Sequence, residues 1–389
     1  MDPMRLGTEI LVGTVAVTCA RTEEEEAEGH VHPFYGDAYH LWTVGVMNYP
    51  RLHSPPMRAA VADRPGPLHE VVTVQTVPEP GAPGPTELTV RMTATTANPS
   101  DAVTVSGAYP SRTTFPLVPG FEGVGVVEDV GRDVPGITRD LVGRRVLPLG
   151  GPGCWQQRRS VDHSWCVPVP ADLDDRTACF SYINPLTASL MVSRYCRSAR
   201  SVAVTAATSA IAGHLAELLT EQFSLRPVGL VRGTPGSTVA DPDRWAEVIS
   251  TADPDWRSRL RSSAPGDTHG PDVILDCVGG PLGNDLVDAL APGGTLVLYG
   301  LLSGTPLAVD CFDGRGGTRV EMFRLRDTVH SAPRRDLPGL FTPVFDLQRR
   351  GLLHTPVSAA TGLDGLPRLL GSGVGVGSGR GKILIDPWV

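Results

Sequence analysis

Two hydrophobic patterns follow one another along this chain, and their order restricts the folds open to it. From Met57 to about Thr187, short β-branched runs are separated by turns rich in proline and glycine, a pattern that predicts a small, partly open β-barrel. Beyond that point, apolar strand candidates alternate with helical segments, which predicts a parallel, doubly wound sheet. The sequence therefore predicts an α/β protein built from two different lobes.

The strand candidates share a short apolar core of β-branched or aliphatic residues between turn residues. They are Val71–Val74, Leu88–Met92, Val124–Val127, Val202–Thr205, Val228–Val231, Val273–Asp276 and Thr295–Tyr299. Helices are predicted from Ser209 to Phe223 and from Phe341 to Arg350. The run Gly381–Ile385 predicts a strand that returns to the barrel.

Residues 1–56 differ in composition from the rest of the chain. They contain the acidic run Glu23–Glu26 and three histidines, His30, His32 and His40. A His-x-His pair can bind a metal, but a third ligand at a defined spacing is missing. The alternatives are a flexible extension and sequence translated upstream of the natural start, and the strand-like run Met57–Val61 favours the second.

Composition and charge limit the classes of function. The 389 residues are enough for two domains, and the net charge of −8 argues against a wide basic face for nucleic acid. Seven dispersed cysteines without a Cys-x-x-Cys pair predict neither a zinc lobe nor a redox pair, and they favour reduced thiols in a cytoplasmic protein. The apolar run Ile10–Ala20 is too short to span a bilayer.

Three motifs in the first lobe carry the chemistry: Asn98-Pro99-Ser100-Asp101, Gly107-Ala108-Tyr109-Pro110 and Pro119–Gly125. Together they resemble the catalytic half of the zinc-free medium-chain dehydrogenase/reductase superfamily, and most of all the mitochondrial-type 2-enoyl thioester reductases. The resemblance extends from Met57 to Val389. It implies three segments: a GroES-like catalytic domain over 57–186 and 354–389, and a Rossmann NADPH-binding domain over 187–353.

The resemblance implies that Tyr109 is a catalytic proton donor. A phenol is neutral at physiological pH and can protonate a carbon as an enolate forms. Asn98 is the second catalytic candidate, because Asn98 and Thr187 could fix the nicotinamide amide or the tyrosine, whereas Asp101 is expected to cap the following turn. The alternative for Tyr109 is an ordinary turn tyrosine packed against the barrel.

No metal site is expected, because the ligand positions of zinc-dependent relatives hold other residues. Pro99 and Ser100 stand where a cysteine would lie, Phe121 replaces the histidine, and Asn184-Pro185 occupies the third position. Without zinc to lower the pKa of an alcohol, reduction of a polarised C=C is favoured over alcohol oxidation.

The cofactor site is predicted at the carboxyl edge of the second sheet. The turn Ala206–Gly213 lacks Gly-x-Gly-x-x-Gly but is similar to the variant of quinone and enoyl reductases, and Arg232 after the second strand favours the 2′-phosphate of NADPH over NAD. The alternative for Arg232 is a solvated surface arginine. The predicted cofactor-binding residues are Thr187, Thr208, Ser209, Ala210, Gly213, Arg232, Cys277, Val278, Gly279, Tyr299, Gly300 and Lys382, the last touching phosphate or only solvent.

The substrate is not fixed by the sequence. Trp155 is a candidate for the cleft wall, with core packing as an equal alternative, and Phe323 is a second cleft candidate. The Phe323-Arg324 segment departs from the Gly-Phe-Trp of enoyl reductases. Three functions stay open: an NADPH-dependent enoyl thioester reductase, an NADPH:quinone or enone reductase, and a non-catalytic partner protein. A homodimer acting on a small molecule, without nucleic acid or membrane, is expected.

Overall fold

Fifteen strands and eleven helices form the two lobes that the hydrophobic patterns predict, within the part of the chain that the computed structural model describes. That part comprises residues 55–233, 239–264, 269–372, 376 and 381–389. The acidic run, the histidine group and the apolar run near the amino terminus lie outside the described residues.

The strands are short, as the turn-rich sequence predicts. They are β1 (Pro56–Ala62), β2 (Val72–Pro78), β3 (Glu87–Thr96), β4 (Gly123–Val130), β5 (Arg145–Pro148), β6 (Arg158–Asp162), β7 (Cys166–Pro168), β8 (Val202–Val204), β9 (Val228–Val231), β10 (Glu247–Ser250), β11 (Val273–Asp276), β12 (Thr295–Leu298), β13 (Arg319–Met322), β14 (Val357–Gly362) and β15 (Lys382–Asp386).

Most of the helices belong to the second lobe or to its connections. They are α1 (Leu68–Val71), α2 (Pro99–Val105), α3 (Gly136–Arg139), α4 (Asp175–Cys179), α5 (Ile183–Tyr195), α6 (Ala210–Phe223), α7 (Trp256–Ser262), α8 (Gly280–Ala289), α9 (Leu325–Ser331), α10 (Leu337–Arg349) and α11 (Leu366–Gly371). The predicted helix at Phe341 begins four residues earlier, where Asp336 precedes Leu337-Pro338, because proline is well tolerated in a first helical turn.

The first lobe is a mostly antiparallel sheet that takes up the end of the chain, with one parallel pair at its edge, β14 and β15. Its strand order is β14-β15-β3-β4-β5-β7, with β6 also paired to β3, and a separate hairpin-like pair is formed by β1 and β2. β15 runs antiparallel to β3, with Leu384 opposite Thr96. The predicted return of the carboxyl-terminal strand to the barrel is confirmed.

The second lobe is a six-stranded parallel sheet in the order β10-β9-β8-β11-β12-β13. The strand order reverses between β8 and β11, and such a switch point opens a crevice beyond the carboxyl ends of the strands. The predicted fold class, a GroES-like barrel with a doubly wound parallel sheet, is confirmed.

Apolar side chains cover both faces of the parallel sheet. On one face, residues of α5, α6 and α10, among them Met191, Leu215 and Phe341, form a core that continues to Val124 and Leu147 of the barrel. On the other face, Trp256 and Leu286 pack against Ile274 and its neighbours. The shared core holds the carboxyl edge of the parallel sheet beside the barrel, which is where the predicted site lies.

Several large apolar side chains are exposed on the described part of the surface. Among the described residues no helix is both long and apolar enough to cross a bilayer. Met322, 59% exposed, ends the outermost strand β13, and Val309, 85% exposed, lies in the segment that precedes this strand. The free edge of β13 is open to pairing. Homodimerisation through this edge stays a prediction.

Candidate functional site

Tyr109 lies on a turn that a glycine makes possible. The chain leaves α2 at Val105, and Gly107 has a φ of +85°, which glycine adopts without the cost of a β-carbon. Tyr109 is 42% exposed, and its carbonyl oxygen accepts a hydrogen bond from the backbone N of Arg112 at 2.9 Å. Its ring is therefore accessible to a reactant, in contrast to the alternative of a tyrosine packed against the barrel.

Asn98 is fully buried at the N-cap of α2, with both ends of its side chain engaged. Its Nδ2 donates to Glu122 Oε2 at 2.9 Å, and its Oδ1 accepts from Lys382 Nζ at 2.7 Å. Buried amides need such partners, because an unpaired polar group is costly in the interior. The amide is thus not free to hold Tyr109 or a nicotinamide, and the predicted catalytic role is corrected to a positioning role.

Asp101 links α2 to the Gly120-Phe121 turn. Its carboxylate accepts from Asn98 N at 2.7 Å, from Phe121 N at 3.0 Å and from Gly120 N at 3.2 Å. The first of these bonds caps the helix at its start, three residues before Asp101, whereas the sequence predicts that Asp101 caps the turn that follows it. The other two were not predicted, because the turn lies some twenty residues further along the chain.

Glu122 joins the barrel to the first helix of the second lobe. Its Oε1 accepts from the backbone N of Tyr182 at 3.0 Å and of Ile183 at 2.7 Å, at the start of α5. A carboxylate at a helix N-terminus satisfies amides that have no partner inside the helix. Glu122 thereby fixes the helix that carries Thr187, which is buried; the predicted contact of Thr187 with a nicotinamide stays a prediction.

Lys382 lies inside the protein, at the start of β15, and is buried. Its ammonium group donates to Asn98 and is close enough to Glu122 and Asp101 for their charges to act on it. The prediction that Lys382 touches phosphate or solvent is therefore wrong, because the two buried carboxyl groups require a cation beside them. Asn98, Asp101, Glu122 and Lys382 are called the internal polar cluster below.

Burial dominates the electrostatics of this cluster. It raises the pKa of Asp101 to about 7, against the effect of its backbone hydrogen bonds and of Lys382. Burial likewise raises the pKa of Glu122, while the bond from Asn98 lowers it. The pKa of Lys382 is lowered by burial and held up by the two carboxyl groups. In this cluster, hydrogen bonds and opposite charges offset the cost of burying each ionisable group.

The first strand-to-helix turn of the parallel sheet has the geometry of a phosphate-binding turn. Ser209 caps the fourteen-residue helix α6, its hydroxyl accepting from Ala212 N at 3.3 Å. Ala206 has a φ of +49°, a conformation in which the usual motif places glycine. Thr208, Ala210 and Gly213 lie around the first turn of α6, where the helix dipole favours an anion.

Arg232 follows directly after β9 and is exposed. It forms no ion pair within the described residues. Its position at the carboxyl end of the strand next to β8 agrees with contact to a 2′-phosphate. The choice between this contact and simple solvation stays a prediction.

The loop after β11 is organised by a side chain that the sequence interpretation quoted without assigning it a role. Asp276 accepts from Val278 N at 2.8 Å, Gly279 N at 3.0 Å and Thr205 Oγ1 at 2.8 Å. An aspartate that bonds its own backbone two residues on forms a recognised turn. Asp276 therefore fixes the Cys277–Gly279 loop against the end of β8.

The glycines in and beside this loop are required by its own backbone conformation and packing. Gly279 has a φ of +67°, and a β-carbon on it would lie 2.7 Å from Leu301 Cδ1. At Gly300 a β-carbon would lie 3.0 Å from the Cys277 carbonyl oxygen. A β-carbon at Gly279 would thus meet the 301–305 turn, and the predicted contact of Gly279 with the cofactor stays a prediction.

Tyr299 and Cys277 lie beside each other at the ends of β12 and β11. Burial raises the pKa of the Tyr299 phenol well above its usual range, with the neighbouring Cys277 adding to the effect. Burial also raises the pKa of Cys277 to about 11. Both groups are therefore neutral at physiological pH.

The two cleft candidates are interior residues. Trp155 is fully buried, and its indole nitrogen donates to the Thr96 carbonyl oxygen at 2.9 Å, which agrees with the alternative of core packing. Phe323 is 4% exposed and packs edge-on against Tyr195, with ring centroids 6.4 Å apart. Neither ring forms an open cleft wall, because each completes a core at the junction of several elements.

Within the described residues, no group of three or more histidine, cysteine, aspartate or glutamate side chains is placed to hold a metal ion. A nicotinamide dinucleotide, in contrast, fits the residues at the switch point between β8 and β11. The capped start of α6 offers amides for a pyrophosphate, and the exposed Arg232 ends the neighbouring strand.

Comparison with known proteins places these features in a family. Residues 84–171 match the alcohol dehydrogenase GroES-like domain. The mitochondrial enoyl-[acyl-carrier-protein] reductase of Arabidopsis thaliana is 30% identical over 274 residues, which cover 69% of this chain and 71% of that protein. The corresponding enzyme of Bos taurus is 30% identical over 64% of this chain and 67% of its own length.

Solved structures share the fold of both lobes. A Bacillus thuringiensis protein described as an NADPH:quinone reductase is 28% identical, with a TM-score of 0.76 over 86% of this chain and 99% of that one. A mycobacterial protein solved in complex with NADPH aligns with a TM-score of 0.71 at 24% identity, over 85% of this chain and all of its own. This chain belongs to the medium-chain dehydrogenase/reductase superfamily of oxidoreductases, as a relative of the mitochondrial enoyl-[acyl-carrier-protein] reductases and the quinone oxidoreductases.

Proposed function

We propose that this protein uses NADPH to reduce the C=C bond of an α,β-unsaturated carbonyl compound, namely a 2-enoyl thioester, with Tyr109 as the proton donor. The observation that carries the proposal is the exposed phenol of Tyr109, on the turn after α2, in a chain related to enoyl-[acyl-carrier-protein] reductases. The buried residues around it are engaged with one another, whereas this phenol is accessible.

The proposed chemistry divides between the cofactor and the chain. A bound nicotinamide nucleotide supplies the hydride that adds to the β-carbon of the substrate. Tyr109 then protonates the α-carbon as the enolate of the substrate forms, a task for a neutral acid held in reach. Gly107 and the bond between Tyr109 and Arg112 fix the turn that orients the phenol, and the internal polar cluster fixes the helix before it.

The proposed preference for NADPH depends on Arg232. A guanidinium group can form two parallel hydrogen bonds with a phosphate, and Arg232 stands at the strand end where NAD-selective relatives carry an acidic residue. Support comes from its exposure and its lack of an acidic partner within the described residues. An electrostatic contact of this kind adds to the binding of NADPH and adds nothing for NADH.

NADPH oxidation with crotonyl-CoA, followed at 340 nm, tests the proposal. We expect turnover with the wild-type protein and a fall in kcat of about 10²- to 10⁴-fold for Tyr109→Phe, the usual contribution of a positioned acid. Binding of NADPH, measured by fluorescence titration, should be similar for both proteins. If Tyr109→Phe retains the full rate, the assignment of the proton donor is wrong.

A second candidate function is reduction of quinones or small enones. It is favoured by the similarity to a protein described as an NADPH:quinone reductase and by the buried Phe323, which forms no open acyl pocket. Quinone reduction needs no dedicated proton donor, so its rate should not depend on Tyr109. Turnover of quinones by both wild type and Tyr109→Phe, with none for thioesters, would establish this alternative.

A further inference from the structure

Three arginines that act on His330 form no ion pair within the described residues: Arg112, Arg326 and Arg334. The charge of Asp162 acts on Arg334, but the two groups do not form an ion pair. The neighbouring arginines behave differently, since Arg324 pairs with Asp327 at 2.8 Å and Arg335 with Asp336 at 3.7 Å. In a protein with a net charge of −8, three unpaired guanidinium groups close to one side chain create a local positive potential. They are called the arginine patch below.

Arg334 is held in place by a ring of the first lobe. Its guanidinium carbon lies 3.3 Å from the ring centroid of Trp165, and His330 packs against the same ring at 4.7 Å with an interplanar angle of 54°. Gly150 packs against the indole of Trp165, and a β-carbon on Gly150 would lie only 2.8 Å from Trp165 Cγ. Although Arg334 Nη1 is buried, it has no hydrogen-bond partner. The guanidinium is oriented by stacking but left with an unused donor.

The other two arginines connect this point to the proposed catalytic turn. Arg326 lies one helical turn before His330 on α9, so both share a face of that helix. Arg326 also acts on the phenol of Tyr182, whose backbone N is bound by Glu122. Arg112 is on the turn of Tyr109. All three arginines act on His330, where they and burial lower the pKa to about 4, against the opposing effect of Asp327.

We propose that Arg112, Arg326 and Arg334 bind the phosphate groups of a phosphopantetheine thioester, and that this contact directs the acyl chain towards Tyr109. The inference rests on the proposed reduction of enoyl thioesters. Guanidinium groups match phosphate geometry with paired donors, and stacking on Trp165 removes much of the entropy that binding would cost Arg334. Because the pKa of His330 is lowered to about 4, its imidazole is neutral at physiological pH, and the three guanidinium groups are the cations of the patch.

Kinetics with charged and neutral carriers test the inference. Crotonyl-CoA and the crotonyl thioester of N-acetylcysteamine share the reacting group, but only the first carries phosphates. For Arg326→Gln and for Arg334→Gln, we expect the ratio of kcat/KM for crotonyl-CoA over the neutral thioester to fall about 3- to 10-fold, a modest value because the sites are partly solvated. Arg335→Gln, next to Arg334 but paired with Asp336, is the matched control and should leave the ratio unchanged.

Binding of free CoA, measured by calorimetry without NADPH, separates this inference from the proposed function. Weaker binding by the arginine variants supports the patch even if no thioester is reduced. If crotonyl-CoA is turned over and the ratio of kcat/KM for crotonyl-CoA over the neutral thioester is unchanged in every arginine variant, the phosphate-binding role of the patch is wrong. The proposed reductase function is not affected by that result. A parallel titration with 4′-phosphopantetheine shows which phosphate is bound. Equal affinity for the two compounds indicates the phosphate next to the pantetheine, and stronger binding of CoA indicates its nucleotide phosphates.

Discussion

The internal polar cluster and the arginine patch differ in how their charged groups are paired. In the cluster, Asn98 and Asp101 are fully buried, and Glu122 and Lys382 nearly so, and every charged group has a partner. In the patch, Arg112 and Arg326 are exposed, and no carboxylate pairs with them. Charges that are satisfied internally hold the backbone, whereas charges without partners are available to a ligand.

This contrast separates two kinds of mutational effect. Changes in the cluster should lower the free energy of unfolding, because they leave buried groups without partners. Substitutions of exposed arginines, including those of the arginine patch, should alter binding or turnover with little effect on the free energy of unfolding, because exposed arginines contribute little to folding. The predictions below test this separation.

Glu122→Leu should have the largest effect on stability. It removes the acceptor for Asn98 and for two backbone amides of α5, and it leaves Lys382 facing Asp101 alone. We expect a loss of about 3–5 kcal/mol in the free energy of unfolding, the usual effect of breaking a buried ion pair. Urea denaturation followed by circular dichroism measures it.

Glu128→Leu is the matched control. Glu128 pairs with Arg158 and Arg91 on the surface of the same barrel, so its loss should cost less than about 1 kcal/mol. Equal losses for the two variants would contradict the distinction between the cluster and the surface.

The free energy of unfolding should decrease as the pH rises, because of Asp101. Its pKa rises from 3.8 in the unfolded chain to about 7 in the folded protein, so the folded state binds this proton more tightly. The stabilisation is complete below pH 4 and is lost as the pH rises towards 7. The loss amounts to at most about 4 kcal/mol. The raised pKa of Glu122 adds a slope of the same sign.

Asp101→Asn should flatten this slope in urea denaturation between pH 4.5 and 7.5. Asp129→Asn, an exposed change on the same barrel, should leave the slope as it is. A wild-type stability that rises over this pH range would show that Asp101 is not protonated more readily in the folded protein.

Arg232→Ala should change the cofactor preference and not the stability. We expect kcat/KM for NADPH, relative to that for NADH, to fall about 10- to 100-fold, as for the loss of a charge-assisted contact of about 1.5–3 kcal/mol. Arg350→Ala, an exposed arginine after α10 without an ion pair in the described chain, is the control. An unchanged preference would identify Arg232 as a solvated surface residue.

Ala206→Gly should have the smallest effect, and a favourable one. Ala206 has a φ of +49°, which costs about 1 kcal/mol for a residue with a β-carbon. Part of this gain is offset by the larger chain entropy of glycine in the unfolded state, so an increase of a few tenths to about 1 kcal/mol is expected from thermal denaturation. Ala207→Gly, at the next position without a positive φ, should destabilise instead.

Much of the fold could be predicted from local patterns. The strands β3, β4, β9, β11 and β12 and the helix α6 lie within a few residues of the predicted segments, because β-branched runs between turn residues and a Ser N-cap are signals contained in neighbouring residues. The site could be predicted in part. The exposure of Tyr109 agrees with its predicted role. Lys382 is buried where contact with phosphate or solvent was predicted, and Phe323 is buried where a cleft residue was predicted, whereas Trp155 agrees with the alternative of core packing.

The sequence by itself determined the order of the two lobes, the strand-and-helix alternation and the motifs around Asn98, Tyr109 and Arg232, since these depend on residues close together in the chain. Only the tertiary structure decided which polar groups are hydrogen-bonded or ion-paired inside the protein. Lys382 bonds Asn98 across 284 positions, and Arg334 stacks on Trp165 from the other lobe. Burial and pairing depend on elements that meet only after folding, and they decide whether a charged side chain supports the fold or faces a ligand.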